Sequence, residues 1–192
     1  MKKKASRRWS DVKAQLEACD RPGLIGLVRD LYEASAANRR FLHARFVSGT
    51  GALEEYRDLV REAVSPDPLS DRPVRLRDAL TTIKEYERST GDLAGTVDLI
   101  LEFVEAGTEQ AADLGYGDDA YFGALERQVH EVVRLLPTVA DEQRRRLEAR
   151  LIQLGRFRDQ IGYGYGDVLG DVAASVHEPR RQGKDRRTRH AV

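Results

Sequence analysis

Cysteine is nearly missing: Cys19 is the only one in 192 residues. One thiol cannot close a disulfide within the chain or build a cysteine-based metal site. Its helical spacing from Val12 and Leu16 predicts a small buried hydrophobe, the usual place of a free cysteine. Aromatic residues are sparse at 7%, with one Trp, so the core has to be built from Leu, Val and Ala. Long apolar runs are missing too. The longest are three or four residues, as at Leu99-Ile100-Leu101, against the roughly 18–20 that a membrane helix needs. No alternating run of β-branched residues is long enough for a strand. Only six of the 32 basic residues are Lys, which reads as a compositional bias and only weakly as phosphate recognition. The start Met1-Lys2-Lys3-Lys4 looks like the n-region of a signal peptide, but Trp9-Ser10-Asp11 follows where an apolar stretch is required. The expectation is a cytoplasmic protein.

What is present is punctuation for helices, and 192 residues fit one domain or two small ones. Ser10-Asp11 can cap a first short helix, Asp20 with Pro22 a second, and Ser35 a third. Leu24, Leu27, Val28 and Leu31 step at three and four residues, the stripe of an amphipathic helix. Ser48-Gly49-Thr50-Gly51 ends the third helix. A fourth runs from about Ala52 to Val64. Three prolines within Pro66–Pro73 disfavour helix, so residues 65–73 are the one plausible internal boundary. Further helices are expected over Leu76–Arg88, Leu93–Leu114, residues 119–136, Ala140–Gln160 and Val168–Val176. The predicted architecture is all-α: eight to nine helices with no sheet, in a bundle or a short stack of hairpins. Residues 10–177 form one helical domain in this reading. Residues 1–9 and 178–192 are basic arms, expected to be disordered.

The formal net charge of zero hides a segregation. Lys2, Lys3, Lys4, Arg7 and Arg8 give residues 1–9 a charge of +5, and Arg180, Arg181, Lys184, Arg186, Arg187 and Arg189 against Asp185 give residues 180–190 another +5. Residues 10–179 therefore carry −10. The densest acidic stretch lies on the helix over Leu93–Leu114. Asp98, Glu102, Glu105, Glu109 and Asp113 step by 4, 3, 4 and 4, and at about 100° per residue they fall within an arc of about 80°. The apolar positions Leu93, Val97, Ile100, Leu101, Val104 and Ala111 centre about 140° away. The ridge reads as a solvated face, as a contact ridge for basic groups, or as a carboxylate metal site. Arg144, Arg145 and Arg146, the tails, or a partner protein could supply the basic groups. A ferritin-like metal site adds a Glu-x-x-His step, and the nearest match, Glu126-x-x-x-His130, has the wrong spacing.

No metal ligands or catalytic residues are assigned, and no cofactor is expected. His43 and His130 read as surface or half-buried histidines. No Ser–His–Asp order, Cys–His pair or His-x-x-x-His step suggests an active site. Gly162-Tyr163-Gly164-Tyr165-Gly166-Asp167 lacks the strand before it and the Gly-Lys-Ser/Thr of a phosphate loop, and reads as a tight interhelical turn. The basic arms could neutralise phosphates, with Trp9 stacking on a base.

Several short pieces in a fixed order carry a resemblance. They are Leu24–Tyr32, Asn38-Arg39-Arg40-Phe41-Leu42, Arg45-Phe46, Ile83-Lys84-Glu85-Tyr86, Gly91-Asp92, Val104-Glu105-Ala106-Gly107, Tyr116-Gly117-Asp118 with Tyr121, and Ile161-Gly162-Tyr163-Gly164. Together they resemble an uncharacterised family of small bacterial helical proteins, a domain of unknown function. The resemblance implies an all-helical fold and brings no activity and no catalytic residues. The basic arms lie outside it. The functional expectation is a non-catalytic protein acting through protein contacts with the acidic helix face. The alternatives are a nucleic-acid accessory protein using its arms, and an enzyme or metal protein of unrecognised type.

Overall fold

The computed structural model describes residues 8–47, 51–162 and 164–177. Among these residues the chain is entirely helical, with nine α-helices and no strand. Both basic arms lie outside the described residues except for Arg8 and Trp9, and Trp9, expected in the disordered arm, is the first residue of a helix. The chain divides into two compact units, Met1–Ser48 and Gly49–Val192.

The first unit holds α1 (Trp9–Glu17), α2 (Arg21–Ala34) and α3 (Ala36–Phe46). The first helix starts at Trp9, with Arg8 at its N-cap and no side-chain cap, so Ser10-Asp11 lies in the first turn rather than ahead of it. The expected caps of α2 and α3 are present. Asp20 Oδ1 accepts from Gly23 N–H at 2.9 Å with Pro22 in the first turn, and Ser35 Oγ accepts from Asn38 N–H at 3.1 Å. Ser35 is at once the C-cap of α2 and the N-cap of α3. The Asn38 amide reaches back to donate to Leu31 O at 2.7 Å, which satisfies a carbonyl near the end of α2. No residue in these three helices is buried. Cys19 is exposed as well, because the unit has no core to receive it.

The second unit holds α4 (Gly51–Val64), α5 (Leu76–Thr90), α6 (Leu93–Leu114), α7 (Asp119–Leu135), α8 (Asp141–Gln153) and α9 (Tyr165–His177), with 3-10 turns at Leu136–Thr138 and Leu154–Phe157. The proline-rich segment 65–73 is an internal loop of this unit. It joins α4 to α5, which pack on each other, and Arg75 N–H donates to Ala63 O at 2.7 Å across the junction. The boundary between units falls at Ser48–Gly49 instead.

Helix α6 is the axis. It packs against α4, α5, α7 and α8, and 15 of its 22 residues are buried. Its ends follow the sequence. Asp92 caps the start by accepting from Gly95 N–H at 3.1 Å, and Gly115 ends it at φ +62° in the left-handed region that glycine enters without strain. Leu99, Leu101 and Phe103 meet Val60 and Val64 of α4, Leu125 and Val129 of α7, and Leu151 of α8 in a core with essentially no solvent access. Helix α8 stops at Gln153, short of the expected Gln160, because the chain tightens into the 3-10 turn Leu154–Phe157 against α9.

Three phenols sit on this frame. Tyr86 donates to Asp92 Oδ2 at 2.8 Å, Tyr121 to Gly107 O at 2.8 Å, and Tyr165 pairs with Thr108 Oγ1 at 2.8 Å. Burial pushes all three phenols above their ordinary value. Their folded-state values therefore exceed the unfolded value of about 10, so their stabilising contribution is complete below about pH 10 and is lost as pH rises past it. A spectrophotometric titration is expected to leave these phenols un-ionised above pH 10 until the chain unfolds. Ordinary titration of all seven tyrosines in the folded chain would refute this.

Candidate functional site

Helix α6 does put Asp98, Glu102, Glu105 and Glu109 on one side, and that side is covered. Arg57 and Arg61, one turn apart on α4, face it. So do Arg150 of α8 and Arg156 of the 3-10 turn after it. Arg57 Nη2 lies 2.8 Å from Asp98 Oδ1, and Arg57 also pairs with Glu54 on its own helix. Arg61 Nε lies 2.6 Å from Glu102 Oε1, and its Nη1 lies 3.2 Å from Glu109 Oε2. Arg150 reaches three carboxylates: Asp98 at 3.1 Å, Glu102 at 3.4 Å and Glu105 at 2.5 Å. Arg156 lies 3.7 Å from Glu109.

Asp98 and Glu102 are buried, Glu105 and Glu109 half-buried, and Asp113 exposed. Burial raises the Glu102 carboxyl against the pull of Arg61 and Arg150. Burial alone would lower Arg150, but the hydrogen bonds and charges of Glu105 and Asp98 outweigh it and hold the guanidinium above its ordinary value. The arrangement binds three segments of the second unit together. Of the five ridge acids, only Asp113 stands exposed to an outside partner.

Of the expected basic partners, Arg144, Arg145 and Arg146 lie elsewhere, and the tails, Arg8 apart, fall outside the described residues. Arg144 pairs within α8 with Asp141 at 2.6 Å and Glu148 at 3.5 Å, Arg145 donates to Asp141 O at 3.3 Å, and Arg146 is exposed. The true partners had one local signal, the four-residue step from Arg57 to Arg61. Among the described residues, no three His, Cys, Asp or Glu side chains group so as to hold a metal ion. His130 is exposed. At the glycine-rich turn, Tyr165 and Gly166 are buried in the first turn of α9 while Gly162 and Gly164 are exposed.

The first unit carries a feature that charge patterning passes over. The faces of α2 and α3 enclose a groove of about 350 Å³, lined by Ile25, Val28 and Tyr32 on one side and Leu42, Phe46 and Val47 on the other, with Arg29 and His43. The Tyr32 hydroxyl and His43 Nε2 stand 2.9 Å apart, and the two rings stack with centroids 5.7 Å apart, which ties the helices together at that point. Of the apolar stripe expected on α2, only Val28 lines the groove; Ile25 and Tyr32 stand beside that stripe. A second cleft, about 440 Å³ between α5 and α7, is floored by Ile83, Thr96 and Ile100. These are already buried, so the cleft offers little fresh apolar surface.

Comparison with protein-family models, with curated proteins and with solved structures found no match. Among the described residues, no helix is long and apolar enough to cross a membrane.

Proposed function

We propose that this chain is a non-catalytic helical protein that works through protein contacts, with the α2–α3 hairpin as the contact surface. One observation carries the reading. Among the described residues, ten of the fourteen exposed large apolar side chains belong to the first unit, including Trp9 at 68%, Ile25 at 56% and Phe46 at 74% exposure. Contiguous apolar surface of this kind marks interaction sites on soluble proteins. The acidic ridge supports the reading less, since four of its five carboxylates are engaged within the second unit.

A photo-crosslinking residue placed at Ile25 tests the proposal in cells. The expected result is a discrete covalent adduct that disappears when Val28→Glu is added, while the same probe at Asp113 gives none. Equal labelling at both positions, or no adduct at Ile25, would end it.

A further inference from the structure

We infer that the groove between α2 and α3 receives an amphipathic helix that carries acidic side chains beside its apolar face. The inference rests on the contact surface proposed above and names its partner. Shape is the first argument. Ile25, Val28 and Tyr32 span eight residues of α2, about 10 Å or two turns. A groove walled by two helices at that length matches the i, i+3, i+4, i+7 anchors of a docked helix. Its volume of about 350 Å³ is enough to seat a few such anchors. An added helix would also give the hairpin the buried faces that its own two helices lack.

Charge is the second argument. Helices α2 and α3 hold Arg21, Arg29, Arg39, Arg40 and Arg45 against Asp30 and Glu33, a net of +3. The groove lining contains no acid. Arg29 lies in that lining, is exposed, and makes no ion pair or hydrogen bond among the described residues. A partner with carboxylates along the flank of its apolar stripe meets this cation. A second copy of the hairpin would bring +3 against +3, and like charges set against each other are costly. The groove is shallow and open, so an anionic bilayer is set against the helix as an outcome of the test below.

Two labelled probe peptides of about 14 residues, or about four turns, test the inference on the full chain by fluorescence anisotropy. Both carry Leu at i, i+3, i+4 and i+7. One has Glu on the flanks and its twin has Lys. The Glu peptide is expected to bind at least about tenfold more tightly than the Lys twin. That advantage should shrink in high salt, survive in Arg29→Lys, and reverse in Arg29→Glu. Val28→Glu should abolish binding of both, with far-UV circular dichroism verifying that the helices persist.

Equal binding of the twins, or binding of neither, overturns the acidic-helix partner. So does capture by phosphatidylglycerol vesicles with no peptide binding, or a dimer in sedimentation that Val28→Glu dissociates. If the peptides fail while the Ile25 crosslink persists, the contact surface stands and only its partner class falls. If both fail, both readings fall.

Discussion

Replacing Arg150 by Met is expected to cost the second unit about 3–5 kcal/mol, the usual penalty for breaking a buried ion pair from one side. The loss should exceed that of any other single ion-pair arginine. The reason is geometric. Arg150 alone touches Asp98, Glu102 and Glu105, and its side chain is only 19% exposed. Without it, Asp98 keeps Arg57 and Glu102 keeps Arg57 and Arg61, but Glu105 loses its ion-pair partner, and Glu102 is already raised by burial. Met fills similar space, so the loss would report charge and hydrogen bonding rather than a cavity. Thermal unfolding should move down by at least about 10 °C for a unit of this size. The control is Arg134→Met, whose partner Glu131 sits one turn away on an exposed face of α7. Surface pairs of that kind contribute little to stability. If the two variants melted together, the α6 carboxylates would have to be solvated in the folded chain.

A second large effect is expected at Gly166→Ala. A Cβ built there would lie 2.2 Å from Arg158 O and 2.5 Å from Ile161 O. Both neighbours are backbone, so no side chain can swing aside. The first turn of α9 must lift away from the chain at 158–161, taking the buried Tyr165 and Leu169 with it. Overpacking of this sort typically costs 1–3 kcal/mol, and clash with backbone places the loss at about 3 kcal/mol. Hydrogen exchange is the decisive measurement. Amides of α9 should lose protection while those of α4 and α5 keep theirs. Unchanged protection in α9 would show that the turn accommodates the methyl. Gly162→Ala is the contrast, because nothing lies within 4 Å of its added Cβ.

The helices were legible because their signals are local. Asp20 and Ser35 each cap the helix expected of them, and α6 keeps both expected ends. The acidic arc was legible for the same reason, since periodicity fixes which residues share a side. What faces that side was not. Arg57 and Arg61 stand 41 to 48 residues before their partners, and Arg150 stands 45 or 48 residues after two of its own. Such pairings depend on how α4 and α8 pack against α6. The unit boundary escaped because three prolines speak louder in a sequence than Ser48-Gly49. Proline forbids helix at its own position but says nothing about whether the helices on either side then pack together, as α4 and α5 do. Cys19 was read as core for a related reason, since an apolar periodicity is the same whether its cover comes from the chain or from another molecule.

The single residue Ser35 joins α2 to α3 and serves as a cap for both. One residue added inside either helix would turn everything beyond it by about 100°. Leu42 and Phe46 would then swing away from Ile25 and Val28, and the groove would lose a wall while every side chain in it stayed the same. The hairpin can therefore drift in composition far more freely than in length. Its spacing from Asp20 through Phe46 sets the groove as much as its side chains do.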